Sequence, residues 1–167
     1  SEVLDAPEPQ DPGTISSNIR GDIVLKNVSL FYGDKPVLKN VSFSVGAGTK
    51  TAIIGPTAAG KSQLLYLLTN LMPPDSGSIE FDGISTEKYT REVFHSQIGF
   101  VFQESVIFNM SLRENIAFNE KVTNESLEKA IATAELSDFI DSLPQKLDTV
   151  VSERGTSLSG GQKQRIA

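Results

Sequence analysis

The chain has 167 residues, 38% of them hydrophobic, with 13 glycines, 8 prolines and no cysteine. This is enough for one domain with a sizeable core, and the lack of cysteine excludes disulfides, thiolate zinc sites and cysteine nucleophiles while fitting a reducing compartment. Fifteen Lys plus Arg against 21 Asp plus Glu leave a formal charge of -6, which argues against coating DNA or RNA, and apolar runs such as Ile98 to Phe102 fall far short of the roughly 18 residues of a membrane span.

Position 1 is Ser, and no basic-then-apolar start resembles a signal peptide, so the expectation is a chain cut from something longer. Residues 1–20 carry Glu2, Asp5, Glu8 and Asp11 against Arg20, half of the net charge, together with Pro7, Pro9, Pro12 and Gly13. That composition reads as an acidic, Pro-rich, unpacked linker. From Asp22 the pattern changes to short strands. Ile23 to Phe31, followed by Val41, Phe43 and Val45 alternating with Ser42 and Ser44, predicts an antiparallel pair with one buried face.

Thr51 to Ile54 is almost uniformly apolar and stops at Gly55, and Leu64, Leu65, Leu68 and Leu71 follow at helical spacing, so the order is strand, glycine loop, helix. The loop itself, Gly55 to Ser62, reads G-P-T-A-A-G-K-S and fits G-x-x-x-x-G-K-[ST]. Consecutive backbone amides around Thr57, Ala58 and Ala59 must point at a phosphate, which asks for tight backbone geometry at Gly55 and Gly60 and sets the anion at the positive end of the next helix. Lys61 supplies a mobile charge for the β- and γ-phosphates, and Ser62 a hydroxyl for Mg²⁺, which prefers oxygen. A flexible glycine turn is the plain alternative, and the flanking strand and helix argue against it. Alone, the loop leaves kinases, GTPases and ATPases open.

Ile79 to Phe81, before an Asp82-Gly83 turn, predicts another strand, and Ile98 to Phe102 a buried one. Beyond Gln103 helices take over: Ser111 with Glu114 makes a capping-box pattern, and Leu127, Ala130, Ile131 and Ala134 form a helical stripe after Thr123. His95 reads as a solvated helix residue. An α/β core with an inserted helical region is the expected architecture. Near the end, Leu158 to Gln162 reads L-S-G-G-Q, with Ser159 and Gln162 at capping-box spacing and Gly160 and Gly161 leaving the helix start uncovered, so that amides, a hydroxyl and a helix dipole face solvent.

The L-S-G-G-Q sequence following a phosphate loop resembles the nucleotide-binding domain of an ABC transporter, and the resemblance runs from Gly21 to Ala167. It implies a P-loop NTPase (RecA-like) α/β core with an N-terminal antiparallel β subdomain and an inserted α-helical subdomain. The expected divisions are the linker at 1–20, the core at 21–103, the helical subdomain at 104–157, and the signature with the start of its helix at 158–167. The implied cofactors are ATP and Mg²⁺. Tyr32 matches the aromatic that stacks on adenine; Gly55, Thr57, Ala58, Ala59, Gly60, Lys61 and Ser62 match the phosphate cradle. Gln103 matches the glutamine that reaches Mg²⁺ and the attacking water. Ser159, Gly160, Gly161 and Gln162 would complete the ATP site of an opposite subunit in trans. The implied partners are a second nucleotide-binding domain in a head-to-tail dimer and transmembrane domains, at the cytoplasmic face of a membrane, with no nucleic acid. Glu153 to Gly155, the Phe108 to Ile116 stretch and the acidic linker look like exporters, although Ser152 stands where a glycine is common.

Two features depart from the family pattern. Ala58 stands where glycine is usual, placing a Cβ where positive φ costs roughly 1 kcal/mol, so nucleotide binding is expected to be retained but weakened. The family's Asp-Glu strand and switch histidine have no counterpart before Ala167, so the chain as given is expected to bind ATP poorly or moderately and not to hydrolyse it at a useful rate. A soluble ABC ATPase of repair or translation and a non-catalytic nucleotide-binding or assembly module remain alternatives to the exporter motor.

Overall fold

In the expected antiparallel pair, β1 (Ile23–Tyr32) and β2 (Lys35–Val45) run in register from Ile23 opposite Val45 to Tyr32 opposite Lys35. The computed structural model describes residues 13–118, 122–151 and 158–167. The β1–β2 ladder is not a plain alternation. Its register shifts on either side of Val28, where Asn27 and Asn40 both adopt φ 50°. Asparagine tolerates this left-handed backbone because its short amide bonds locally. Here the side-chain bonds run across the hairpin: Ser42 Oγ donates to Asn27 Oδ1 at 3.2 Å, and Ser29 Oγ donates to Asn40 Oδ1 at 3.3 Å. The shift turns Leu25, Val28 and Leu30 all into the core.

The chain then forms α1 (Lys61–Leu68), β3 (Ser76–Phe81), β4 (Ile84–Ser85) and α2 (Arg91–Ser96). The sheet order is β2-β1-β3-β4, antiparallel throughout. The Asp82-Gly83 turn joins β3 to β4 as expected, with both residues at positive φ. The core gathers Leu25, Val28, Leu30, Leu38, Leu64, Leu67, Ile79, Phe81, Tyr89 and Phe94. Phe94 is fully buried and meets the Phe81 ring edge-on at 5.2 Å.

Three expectations need correction. The segment read as an unpacked linker is laid against the core from Gly13 onward. The Thr14 and Ile15 amides donate to the Lys88 carbonyl at 3.0 and 2.9 Å, the Thr90 amide donates to the Ile15 carbonyl, and the Ile19 amide donates to Gln97 Oε1 at 2.8 Å. Ile15 and Ile19 pack on the core, which explains why a polar-looking stretch stays down. Secondly, Thr51 to Ile54 and Ile98 to Phe102 form no ladder. An interior parallel strand needs a neighbouring strand along its edges, and neither segment is part of a strand among the described residues; Ile54 is 92% exposed. Thirdly, α1 faces the core with Leu64 and Leu67, with the expected Leu68 packed against it, while Leu71 lies beyond the helix end and Leu65 faces outward. Asn70, at φ 54°, stops the helix.

The chain divides into two compact units between Phe100 and Val101. The second unit is helical: α3 (Leu112–Ile116), α4 (Asn124–Thr133), α5 (Ser137–Asp141) and α6 (Gly160–Ile166). The expected capping box at Ser111 is present, and a cap the sequence reading did not name is found at Thr123. Ser111 Oγ accepts from the Glu114 amide while Glu114 takes the Ser111 amide, and Thr123 caps α4 by accepting from the Ser126 amide. Its core holds Ile107, Leu112, Leu127, Ile131, Leu136, Ile140, Val151 and Ile166. No helix among the described residues is long and apolar enough to cross a membrane.

Candidate functional site

The phosphate loop is anchored where α1 meets β2. Gly60 caps the helix at φ 84°. A Cβ at Gly60 would stand 2.9 Å from both Leu38 Cδ2 and the Val37 carbonyl oxygen, so only glycine lets the loop end lie this close to β2. Gly55 is different: a Cβ there would meet Ala59 Cβ at 3.6 Å, ordinary contact. Of the two glycines expected to need tight geometry, Gly60 is the one that does. Ala58 occupies φ 63°, a left-handed backbone that disfavours any Cβ.

Lys61 folds back over the loop. Its Nζ donates to the Gly55 carbonyl at 2.8 Å and the Pro56 carbonyl at 2.6 Å, which places the ammonium across the loop. Ala59 donates its amide to the Pro56 carbonyl at 3.3 Å, so this N–H faces into the loop rather than outward. Thr57 and Ser62 are exposed. The first turn of α1 holds no acidic residue, leaving the helix dipole and Lys61 uncompensated at its positive end. The ammonium and helix-start amides form a donor set that fits a polyphosphate, and the Ser62 hydroxyl oxygen fits the oxygen-seeking Mg²⁺.

Tyr32 ends β1 at the hairpin, opposite Lys35, and is 55% exposed. A ring with that much open surface is free to stack on a planar ligand. His95 is an exposed residue of α2 as expected, and its Nε2 lies 3.2 Å from the Thr69 carbonyl oxygen at the end of α1. Tyr32 and the loop belong to the first unit, and Gln103 and the signature to the second.

In the second unit the signature helix starts with the expected capping box. Ser159 Oγ accepts from the Gln162 amide at 3.2 Å, and Gln162 Oε1 accepts from the Ser159 amide at 2.8 Å. The box occupies the Ser159 and Gln162 backbone amides, as a capping box does. Ser159, Gly160 and Gly161 are exposed. Gln103 is exposed, and its carbonyl accepts from Gln164 Nε2 at 3.1 Å. Sequence reasoning missed Gln164, because no local spacing links a helix residue to a loop so far earlier in the chain. Glu153 to Gly155 and Ser152 lie outside the described residues, as does the acidic stretch at 1–12.

Comparison with known proteins agrees with this assembly. A family described as "ABC transporter" matches residues 38–167. "ABC transporter B family member 21" of Arabidopsis thaliana is 43% identical over 159 residues, covering 93% of this chain and 12% of that protein. The "ATP-dependent lipid A-core flippase" of Aliivibrio fischeri is 39% identical over 171 residues, covering 99% of this chain and 29% of that protein. Among solved structures, a bacterial Atm1-family ABC exporter with ATP bound matches with a TM-score of 0.87 and 35% identity, over 99% of this chain and 30% of that one. The chain thus spans less than a third of the length of these relatives. With the phosphate loop and the signature cap both in place, the match over most of the sequence shows that this chain belongs to the ABC transporter family and has the P-loop NTPase fold of the family's nucleotide-binding domain.

Proposed function

We propose that this chain is the ATP-binding domain of an ABC exporter, which turns ATP binding and hydrolysis into transport across a membrane. The observation that carries the reading is the phosphate loop: Gly60 pressed on β2 at φ 84° and Lys61 Nζ held across the carbonyls of Gly55 and Pro56. Tyr32 stacks on adenine. Gly55, Thr57, Ala58, Ala59 and Gly60 line the phosphates with backbone, and Lys61 exchanges its two carbonyl partners for β- and γ-phosphate oxygens. Ser62 and Gln103 supply oxygens toward Mg²⁺, and Gln103 orients the attacking water. Mg²⁺ held there by Ser62 and Gln103 would supply the positive charge that offsets the charge building on a transferring phosphate.

Ser159, Gly160, Gly161 and Gln162 face the nucleotide of a second nucleotide-binding domain in a head-to-tail dimer. Transmembrane domains are the other partners, with this domain on the cytoplasmic face. The core runs over 21–103 and the helical subdomain over 104–157, ahead of the signature. The exporter names of the relatives support this choice over a soluble ABC ATPase. A non-catalytic nucleotide-binding module is the second reading, favoured by Ala58 at φ 63°.

The native chain has no cysteine, so cross-linking tests the dimer directly. With Thr57→Cys and Ser159→Cys in one chain, MgATP should promote an intersubunit disulfide. Equal cross-linking with and without nucleotide rejects the head-to-tail arrangement.

A further inference from the structure

We propose that Gln164 is a positioning residue that fastens Gln103 to the signature helix, so that the segment reaching this chain's own nucleotide and the cap offered to the partner's nucleotide shift as one piece. The proposal rests on the reading of Gln103 and Ser159–Gln162 given above. Three consecutive side chains seat α6. Gln164 Nε2 donates to the Gln103 carbonyl at 3.1 Å. Arg165 Nη1 donates to the Glu135 carbonyl at 3.2 Å, where the chain turns through φ 53° after α4. Ile166 is buried in the helical core. With the capping box closing the other end, α6 cannot rotate without breaking one of these contacts.

The Gln103 segment is the looser partner. Gln103 and Glu104 are exposed, and the chain is next anchored by the buried Ile107. A hydrogen bond nearby, Ser105 Oγ to the Phe102 carbonyl at 3.4 Å, is local. The bond from Gln164 ties this stretch to another element. Gln103, Glu104 and Ser105 also share a cavity of about 540 Å³ with Gly160, Lys163 and Gln164, so loop and helix form two walls of one space. A carbonyl oxygen accepts only from a donor, so the amide nitrogen of Gln164 is the end that must face it. Glutamate keeps the shape and loses the donor; lysine restores one.

The test uses the full-length protein carrying Gln164→Glu and, separately, Gln164→Lys, each with and without Gln103→Ala. Without nucleotide, amide hydrogen exchange in peptides spanning 101–108 should rise about fivefold in Gln164→Glu, the effect of losing one hydrogen bond, and return to within twofold of wild type in Gln164→Lys. Exchange in α4 should stay unchanged, which separates the effect from general unfolding. With MgATP, kcat should fall about fivefold in Gln164→Glu with KM within twofold, and this loss should vanish in the Gln103→Ala background. Unchanged exchange at 101–108 overturns the proposal, as does an equal loss of turnover in both backgrounds. Exchange that responds while Gln103→Ala keeps wild-type turnover preserves the tie and removes the role given to Gln103, so the two failures are distinct.

Discussion

Replacing Ala58 with glycine isolates one backbone angle in the phosphate loop. Ala58 sits at φ 63°, where an L-residue with a Cβ is disfavoured by roughly 1–2 kcal/mol. The loop is exposed and held by few bonds, chiefly Lys61 to two carbonyls and Ala59 to Pro56. An unliganded loop of this kind can relax toward negative φ and must return to the left-handed angle when amides close on phosphate. Glycine removes that penalty but has more freedom to lose, which gives back about 0.5–1 kcal/mol. The difference, about 0.5–1 kcal/mol, corresponds to roughly two- to fivefold tighter MgATP binding. Ala58→Val works in the opposite sense, because a β-branched side chain fits φ 63° worse than alanine. Isothermal titration of MgATP into the three proteins at fixed Mg²⁺ reads the series. Equal affinities for alanine and glycine at position 58 refute the strain argument.

Gly60→Ala should destabilise the first unit by about 2–4 kcal/mol, from the left-handed angle and the 2.9 Å approach to Leu38 and Val37; a thermal midpoint equal to wild type contradicts the close packing. Tyr32→Ala should weaken MgATP binding by about 1 kcal/mol while Tyr32→Phe retains it, with little change in thermal midpoint because the ring is half open to solvent. The Asp82 side chain loses hydration to burial, yet amide bonds from Arg20 and Asp22 and the charge of Arg20 hold its pKa below the ordinary 3.8. Its contribution is therefore complete above that ordinary value and disappears as pH falls through the lower folded-state value. Asp82→Asn, which keeps the shape and tolerates φ 52°, should lower stability at pH 7 by about 1–3 kcal/mol and flatten the acid limb of a pH–stability curve.

The features legible in the sequence are those decided within four residues. Ser111 with Glu114 and Ser159 with Gln162 cap helices through bonds between near neighbours, and side-chain type alone reports them. The positive φ at Ala58 was legible within its loop motif, whereas the need for glycine at position 60 lies in Val37 and Leu38 of β2. What escaped depends on distant backbone. Ile15 and Ile19 were hidden among prolines and carboxylates, and their seat is formed by Lys88, Thr90 and Gln97. The register shifts around Val28 need Ser42 and Ser29 to satisfy Asn27 and Asn40 across the hairpin. Thr51 to Ile54 has a strand's composition, but a ladder is made by two chains, and among the described residues no segment pairs with it. Gln164 escaped because an amide on a helix carries no sign of the loop carbonyl it will meet.

The central claim is that residues 55–62 bind the phosphates of ATP. Equilibrium binding of MgATP to the wild-type chain and to Lys61→Ala tests it most directly. The account predicts saturable binding of one nucleotide per chain, weakened about tenfold or more by Lys61→Ala through the loss of charge-assisted hydrogen bonds. Absence of MgATP binding, or equal affinity in the two proteins, contradicts it.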